Sequence, residues 1–89
     1  MDYEIVHFSE RNRFEMEQDG LTAYVEYKLA DGGLDILHTI VPEPFEGKGI
    51  AGALVKTAYD YALAQGLKAK ATCSYAVIWL KRHPEYAAN

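Results

Sequence analysis

The hydrophobic pattern of this chain changes period once, and that change restricts the folds open to it. From Leu21 to Ala30, residues Leu21, Ala23, Val25, Tyr27 and Leu29 fall on one face and Thr22, Tyr24, Glu26 and Lys28 on the other, the alternation of a half-buried strand. Asp31-Gly32-Gly33 follows as a turn whose glycines tolerate positive φ, and Leu34 to Val41 reads as the return strand of an antiparallel hairpin. Pro42 and Pro44 end that ladder, because proline has no N–H to donate. From Gly49 or Ile50 to Gln65 the period becomes helical, with Ile50, Leu54, Ala58, Tyr61 and Ala62 stacked at three- and four-residue spacings. Gly66 supplies the C-terminal stop.

Shorter elements flank this switch. Glu4 to Phe8 and Arg13 to Glu17 read as strands, separated from the long one by the Asp19-Gly20 turn. Leu67 to Cys73 is a further strand, and a strand, helix, strand unit of this length makes a right-handed parallel crossover. Ser74 is placed to cap a last helix from Tyr75 to Arg82, which His83-Pro84 ends. The expected fold is α/β, in the order four strands, helix, strand, helix, its antiparallel sheet extended by one parallel pair. No repeat, linker or low-complexity tract divides the 89 residues, so residues 1–89 are expected to form one domain. A chain this short buries only about 60% of its unfolded surface, so any ligand site must share walls with the single core.

The link between the two periods is the run Glu46-Gly47-Lys48-Gly49-Ile50-Ala51. A glycine-rich turn opening a helix presents N–H groups without intrahelical partners at the positive end of the dipole, a setting that suits phosphate. A plain strand-to-helix connection with convenient glycines explains the same residues. Gly47, Gly49 and Gly52 also match the dinucleotide fingerprint Gly-x-Gly-x-x-Gly. That reading fails because several strands precede the turn, no acidic residue lies between Tyr61 and Pro84, and the chain is too short for two mononucleotide halves. A Walker A loop fails for want of Lys-Ser or Lys-Thr after the turn.

Nine Lys plus Arg against thirteen Asp plus Glu leave a formal charge of −4, so no basic excess exists to displace phosphate counterions and a nucleic-acid partner is not expected. No apolar run approaches the roughly 18 to 20 residues needed to span a bilayer, and Met1-Asp2-Tyr3-Glu4 does not open a secretory signal. The expectation is a cytoplasmic protein without a membrane partner, a monomer or weak homodimer. A single cysteine, Cys73, excludes an internal disulfide, and no Cys pair has zinc-ligand spacing, so no metal is expected.

Two runs together carry a resemblance. His38-Thr39-Ile40-Val41-Pro42, then Glu46-Gly47-Lys48-Gly49-Ile50-Ala51 and Leu54-Val55, resembles the acetyl-CoA signature of the GCN5-related N-acetyltransferases. Cys73-Ser74-Tyr75, with Arg82-His83-Pro84-Glu85-Tyr86 toward the end of the chain, looks like the small, minimal branch of that superfamily. The resemblance implies an acyl-CoA N-acyltransferase fold in which a strand ending near Val41 splays from its parallel neighbour. Acetyl-CoA would enter the gap, with its pantetheine on the backbone near Ile40 and Val41 and its pyrophosphate on the N–H groups of Gly47, Lys48, Gly49, Ile50 and Ala51. Glu46 stands where the superfamily usually has Arg or Gln, and Lys48 offers a compensating charge.

Acetyl transfer from a thioester needs a nucleophile, a polarised carbonyl and a proton for the departing thiolate. Cys73, at a strand end before a helix, is a candidate to take the acetyl group or protonate CoA; a small buried hydrophobe is the plain alternative. His38 is a candidate general base toward an amine or toward Cys73, or a structural histidine bonded to backbone. His83 reads mainly as a helix C-terminal charge. Tyr75 and Trp79, four apart, share a helix face that is more often core than substrate shelf. The expected activity is acetyl-CoA-dependent N-acetylation of an amine, either a small molecule or a protein lysine or N-terminus. The alternatives are a CoA-binding module without turnover, or a structural protein whose turn binds anions adventitiously.

Overall fold

The computed structural model describes residues 3–86. Five strands form one sheet in sequence order: β1 (Val6–Phe8), β2 (Arg13–Gln18), β3 (Leu21–Ala30), β4 (Gly33–Ile40) and β5 (Lys68–Ala71). The first three pairings are antiparallel and β4 with β5 is parallel, as the crossover through α1 (Ile50–Ala64) requires. A second helix, α2 (Ser74–Arg82), follows β5. This is the expected α/β order, with strand ends at most two residues from those expected.

Both helices lie on one face of the sheet. Phe14, Met16, Ala23, Val25, Tyr27, Leu34 and Ile36 point toward them and are buried, while the alternate positions other than Gly33 are half-buried or exposed. The helices contact each other through Tyr59 of α1 and Trp79 of α2, whose ring centroids are 5.8 Å apart. Tyr86 ties the chain end back to α1 by donating its hydroxyl to Asp60 at 2.6 Å. Tyr59, which the helical spacing did not single out, is fully buried and donates to the carbonyl of Lys70 at 2.6 Å, fastening β5 to α1. Leu29, expected on the buried face, is 53% exposed one pair from the hairpin turn, while its partner Leu34 beside β5 is covered.

Two irregularities shape the end of the sheet where β4 finishes. Glu26 pairs with His38 but Tyr27 pairs with Ile36, leaving Leu37 unpaired as a β-bulge. The extra residue reverses the alternation, so Thr39 shares the helix-side face with Val25 and His38 turns to the opposite, uncovered face across from Glu26. The second irregularity is the early end of β5. Its pairing stops at Ile36 with Ala71, and the amides of Thr72 and Cys73 both donate to the Ile36 carbonyl at 3.0 Å. β4 continues with β3 as far as Ile40, so the two parallel strands separate beyond Ile36.

A short turn of 3₁₀ helix over Glu43–Phe45 then carries the chain to α1, anchored by the buried ring of Phe45. Gly47 and Gly49 adopt φ of +79° and +76°, values costly for any residue with a Cβ. Gly49 occupies the cap position of α1, and the Tyr3 hydroxyl donates to the Lys48 carbonyl at 2.6 Å. The last helix starts one residue earlier than the capping pattern implied: Ser74 is its first residue, and Cys73, with extended backbone, holds the cap position without a side-chain capping bond.

Candidate active site

The end of β4 beyond its pairing with β5, the glycine turn and the start of α2 line one cleft of about 400 Å³, and Cys73 is not among its lining residues. Thr39 and Val41 form its β4 wall, Phe45 its floor, Glu46, Gly47, Gly49, Ile50, Ala51 and Gly52 its turn and helix start, and Tyr75 its α2 wall. A Cβ placed on Gly47 or Gly49 would meet nothing within 4 Å, so the main chain of the turn faces open space. At Gly52 a Cβ would stand 3.5 Å from the Tyr75 hydroxyl and 3.9 Å from Nε1 of Trp79, which brings the start of α1 and the start of α2 to the same wall.

Of the residues singled out for a bound nucleotide thioester, Val41, Gly47, Gly49, Ile50 and Ala51 line this cleft. Ile40 pairs with Tyr24 and is 45% exposed, and Lys48 borders a neighbouring cavity with Tyr3, Ile5, Ala53, Lys56 and Thr57. Glu46 sits on the cleft rim, exposed to solvent, a position that lets its carboxylate point outward.

Cys73 stands at the fork of the separating strands. Its thiol donates to Oγ1 of Thr39 at 3.4 Å, across 34 residues of sequence. Partial burial pushes the thiol pKa up, but the Thr39 hydroxyl and the amides of Ala76, Tyr75 and Thr39 favour the thiolate more strongly, and the net direction is below an ordinary cysteine. Two of those amides belong to the first turn of α2, whose N–H groups have no intrahelical acceptor.

His38 is not brought to Cys73. The bulge at Leu37 turns it to the uncovered face, where it is exposed opposite Glu26. His83 closes α2: its Nδ1 donates to the Trp79 carbonyl at 2.8 Å, and its ring stacks on Trp79 at 3.8 Å. The Tyr75 and Trp79 pair divides, with Trp79 buried in the core and Tyr75 42% exposed on the cleft. Thr39 and Phe45 are cleft residues that reading by spacing passed over, and Tyr75, which its spacing with Trp79 placed more often in the core, is a cleft wall instead. Thr39 and Tyr75 do stand inside the two runs that carry the resemblance, beside His38 and Cys73. Among the described residues no group of three or more His, Cys, Asp or Glu could hold a metal ion, and no helix is long and apolar enough to cross a membrane.

The chain is also matched at the level of family. Residues 13–89 match the model of the GCN5-related N-acetyltransferase family. The chain belongs to that family. Its similarity to Protein NATD1 extends over most of both chains: 34% identity over 87 residues with the Xenopus tropicalis protein, covering 90% of this chain and 76% of that one. The Mus musculus protein is 32% identical over 87 residues with the same coverage. The fold is similar to the NMR solution structure of a GCN5-like protein from Staphylococcus aureus, with a TM-score of 0.75, 29% identity, and coverage of 94% of this chain and 83% of the other. Membership of the GCN5-related family supports an acyltransferase-type function.

Proposed function

We propose that the protein is an acetyl-CoA-dependent N-acetyltransferase acting on an amine. The observation that carries this reading is that the end of β4 left unpaired by β5 and the open main chain of the glycine turn line one cleft. The cleft fits a long, jointed thioester with an anionic middle. Main-chain N–H groups from Gly47 to Ala51 would hold the pyrophosphate at the positive end of α1. Ile40 and Val41 would pair with the amide-bearing pantetheine arm along the β4 edge that β5 leaves, by the same main-chain bonding a further strand would use. When bound, acetyl-CoA supplies an activated acyl carbonyl.

Within this reading the chain's own groups divide the proton work. Cys73 Sγ, polarised by Thr39 and the α2 amides, holds or gives up one proton at the fork. His38 serves as base toward an amine that reaches the fork from the uncovered face of the sheet, since its position there excludes a direct bond to Cys73. The net charge of −4 favours a cationic acceptor, a small amine or a protein lysine or N-terminus.

The separation of His38 from Cys73 favours one other reading, a CoA-binding module without turnover. An amine panel with acetyl-CoA, followed by mass spectrometry of both amines and protein, decides between them. Acetylated amine that disappears in Cys73→Ala or His38→Ala, with cofactor affinity intact, supports the enzyme. Binding with no product in any arm supports the module. No binding of acetyl-CoA at millimolar concentration overturns both.

A further inference from the structure

A groove along α2 shares Tyr75 with the cleft and is continuous with the site already described. The outer edge of the sheet is separate from it. Strand order leaves β5 paired on one side only. The Lys68 amide donates to the Gly32 carbonyl at 2.9 Å and the Thr72 amide to the Ile36 carbonyl at 3.0 Å, so the even-numbered residues of β5 turn their main-chain groups toward β4. Ala69 and Ala71 therefore point their N–H and C=O groups outward, where no further strand lies among the described residues. Their side chains pack against the core beneath the helices.

The charge beside this edge runs against that of the chain. Residues 61–84 include Lys68, Lys70, Lys81 and Arg82 and no carboxylate, in a chain of formal charge −4. Lys68 and Lys70 alternate with the two alanines and so stand on the uncovered face of the sheet. The stem of Lys70 lies over Gly33, with Cδ and Cε each 2.8 Å from where a Gly33 Cβ would stand. That course leads it away from Asp35, its partner in the ladder, which accepts instead from the Thr72 hydroxyl at 2.9 Å. Neither Lys68 nor Lys70 forms an ion pair among the described residues.

An open edge is a template for any extended chain. A second copy is disfavoured, because pairing β5 with itself about a two-fold axis at Ala69 or Lys70 sets Lys70 opposite a lysine, and like charges directly opposed are destabilising. The same charges attract carboxylates. We infer that the outer edge of β5 docks an extended acidic segment of a partner protein, which adds antiparallel as a sixth strand. Its main chain would bond Ala69 and Ala71, and acidic residues at every second position would meet Lys68 and Lys70 on the uncovered face. Charge alone would also suit nucleic acid or an anionic membrane; outward N–H and C=O groups at strand spacing favour a peptide. The inference does not depend on what occupies the cleft.

The test is an amide NMR titration of the full chain with a short peptide alternating Glu with Thr, and with an isomer of the same composition whose Glu residues are contiguous. The alternating peptide is expected to shift the Ala69 and Ala71 amides, slow their exchange and bind about fivefold or more tighter than the isomer. Lys68→Gln and Lys70→Gln should each weaken it about two- to fivefold. Ala69→Pro removes an outward N–H, leaves the β4 ladder its donors and should weaken binding as well. N-methylation of the peptide's Thr residues, which would face Ala69 and Ala71, removes the same bonds without altering the protein and should abolish binding. Equal binding of the two isomers, or binding that survives N-methylation, would overturn the inference in favour of a non-specific anion patch. Larger shifts of the same amides with a DNA duplex or with phosphatidylserine vesicles would overturn it in favour of those partners. No shift at Ala69 and Ala71 with millimolar peptide would overturn it too, leaving Lys68 and Lys70 as guards against edge pairing.

Discussion

The thiol of Cys73 and the hydroxyl of Thr39 are hydrogen-bonded at 3.4 Å across the gap between two strands that have just ceased to pair. The contact exists because one unpaired residue, Leu37, turns Thr39 rather than His38 toward the helices. Replacing Thr39 by Val keeps the shape and removes the hydroxyl. The Cys73 pKa is then expected to rise, and the midpoint of its alkylation rate against pH to move upward. The sign carries over to stability: with a folded value below that of the unfolded chain, the folded protein binds fewer protons between the two values, so stability increases with pH across that window. Thr39→Val should flatten that increase. An unchanged alkylation profile would show that the α2 amides alone set the thiol.

Two glycines of the cleft should respond in opposite ways to the same substitution. Gly49→Ala forces a Cβ into a φ of +76° and is expected to cost about 1 kcal/mol, roughly 4–8 °C in Tm for a domain of this size. Gly52 lies inside α1, where alanine is the better helix former by about 0.5–1 kcal/mol, and its Cβ would find ordinary contact distances. Gly52→Ala should therefore raise Tm, yet narrow the cleft beside Tyr75 and weaken CoA. Thermal scans with and without CoA separate the two effects.

His7 provides a pH probe far from the cleft. Its ring stacks on Phe14 at 4.0 Å and its Nε2 shares a 2.6 Å hydrogen bond with the Tyr27 hydroxyl. Burial lowers its pKa, against a smaller raising effect of Glu10. A depressed histidine stays neutral in the folded state while the unfolded chain takes up a proton, so stability should fall as pH drops from about 6.5 toward the folded value. Urea midpoints from pH 7.5 to 5 should show that slope in the native protein and lose it in His7→Phe.

Tyr59 joins α1 to β5 by its bond to the Lys70 carbonyl, and burial, with the charges of Asp35 and Cys73, pushes its pKa well above the usual tyrosine range. Tyr59→Phe preserves the packing against Trp79 and removes one of the two donors to that carbonyl, the other being the Ile36 amide of the parallel ladder. The expected loss is about 0.5–1.5 kcal/mol, read as a lower urea midpoint with an unchanged m-value. Exchange at the β5 amides should speed up more than at β2.

Period and turn chemistry sufficed for the element order, the hairpin, the parallel crossover and the position of the glycine turn, because each depends on residues close together in the chain. Alternation from Leu21 to Tyr27, the left-handed glycines and the stop at Pro42 act over a few residues and appear in the structure nearly where they were expected. The bulge at Leu37 does not belong to that class. It is a property of the pairing between β3 and β4, and one unpaired residue sends His38 to one face and Thr39 to the other. The early end of β5, the burial of Trp79 but not Tyr75, and the groove that α2 shares with the cleft likewise follow from how the elements pack. Local preferences placed the glycine turn at the start of α1; the register of β4 and the docking of α2 chose which side chains surround it.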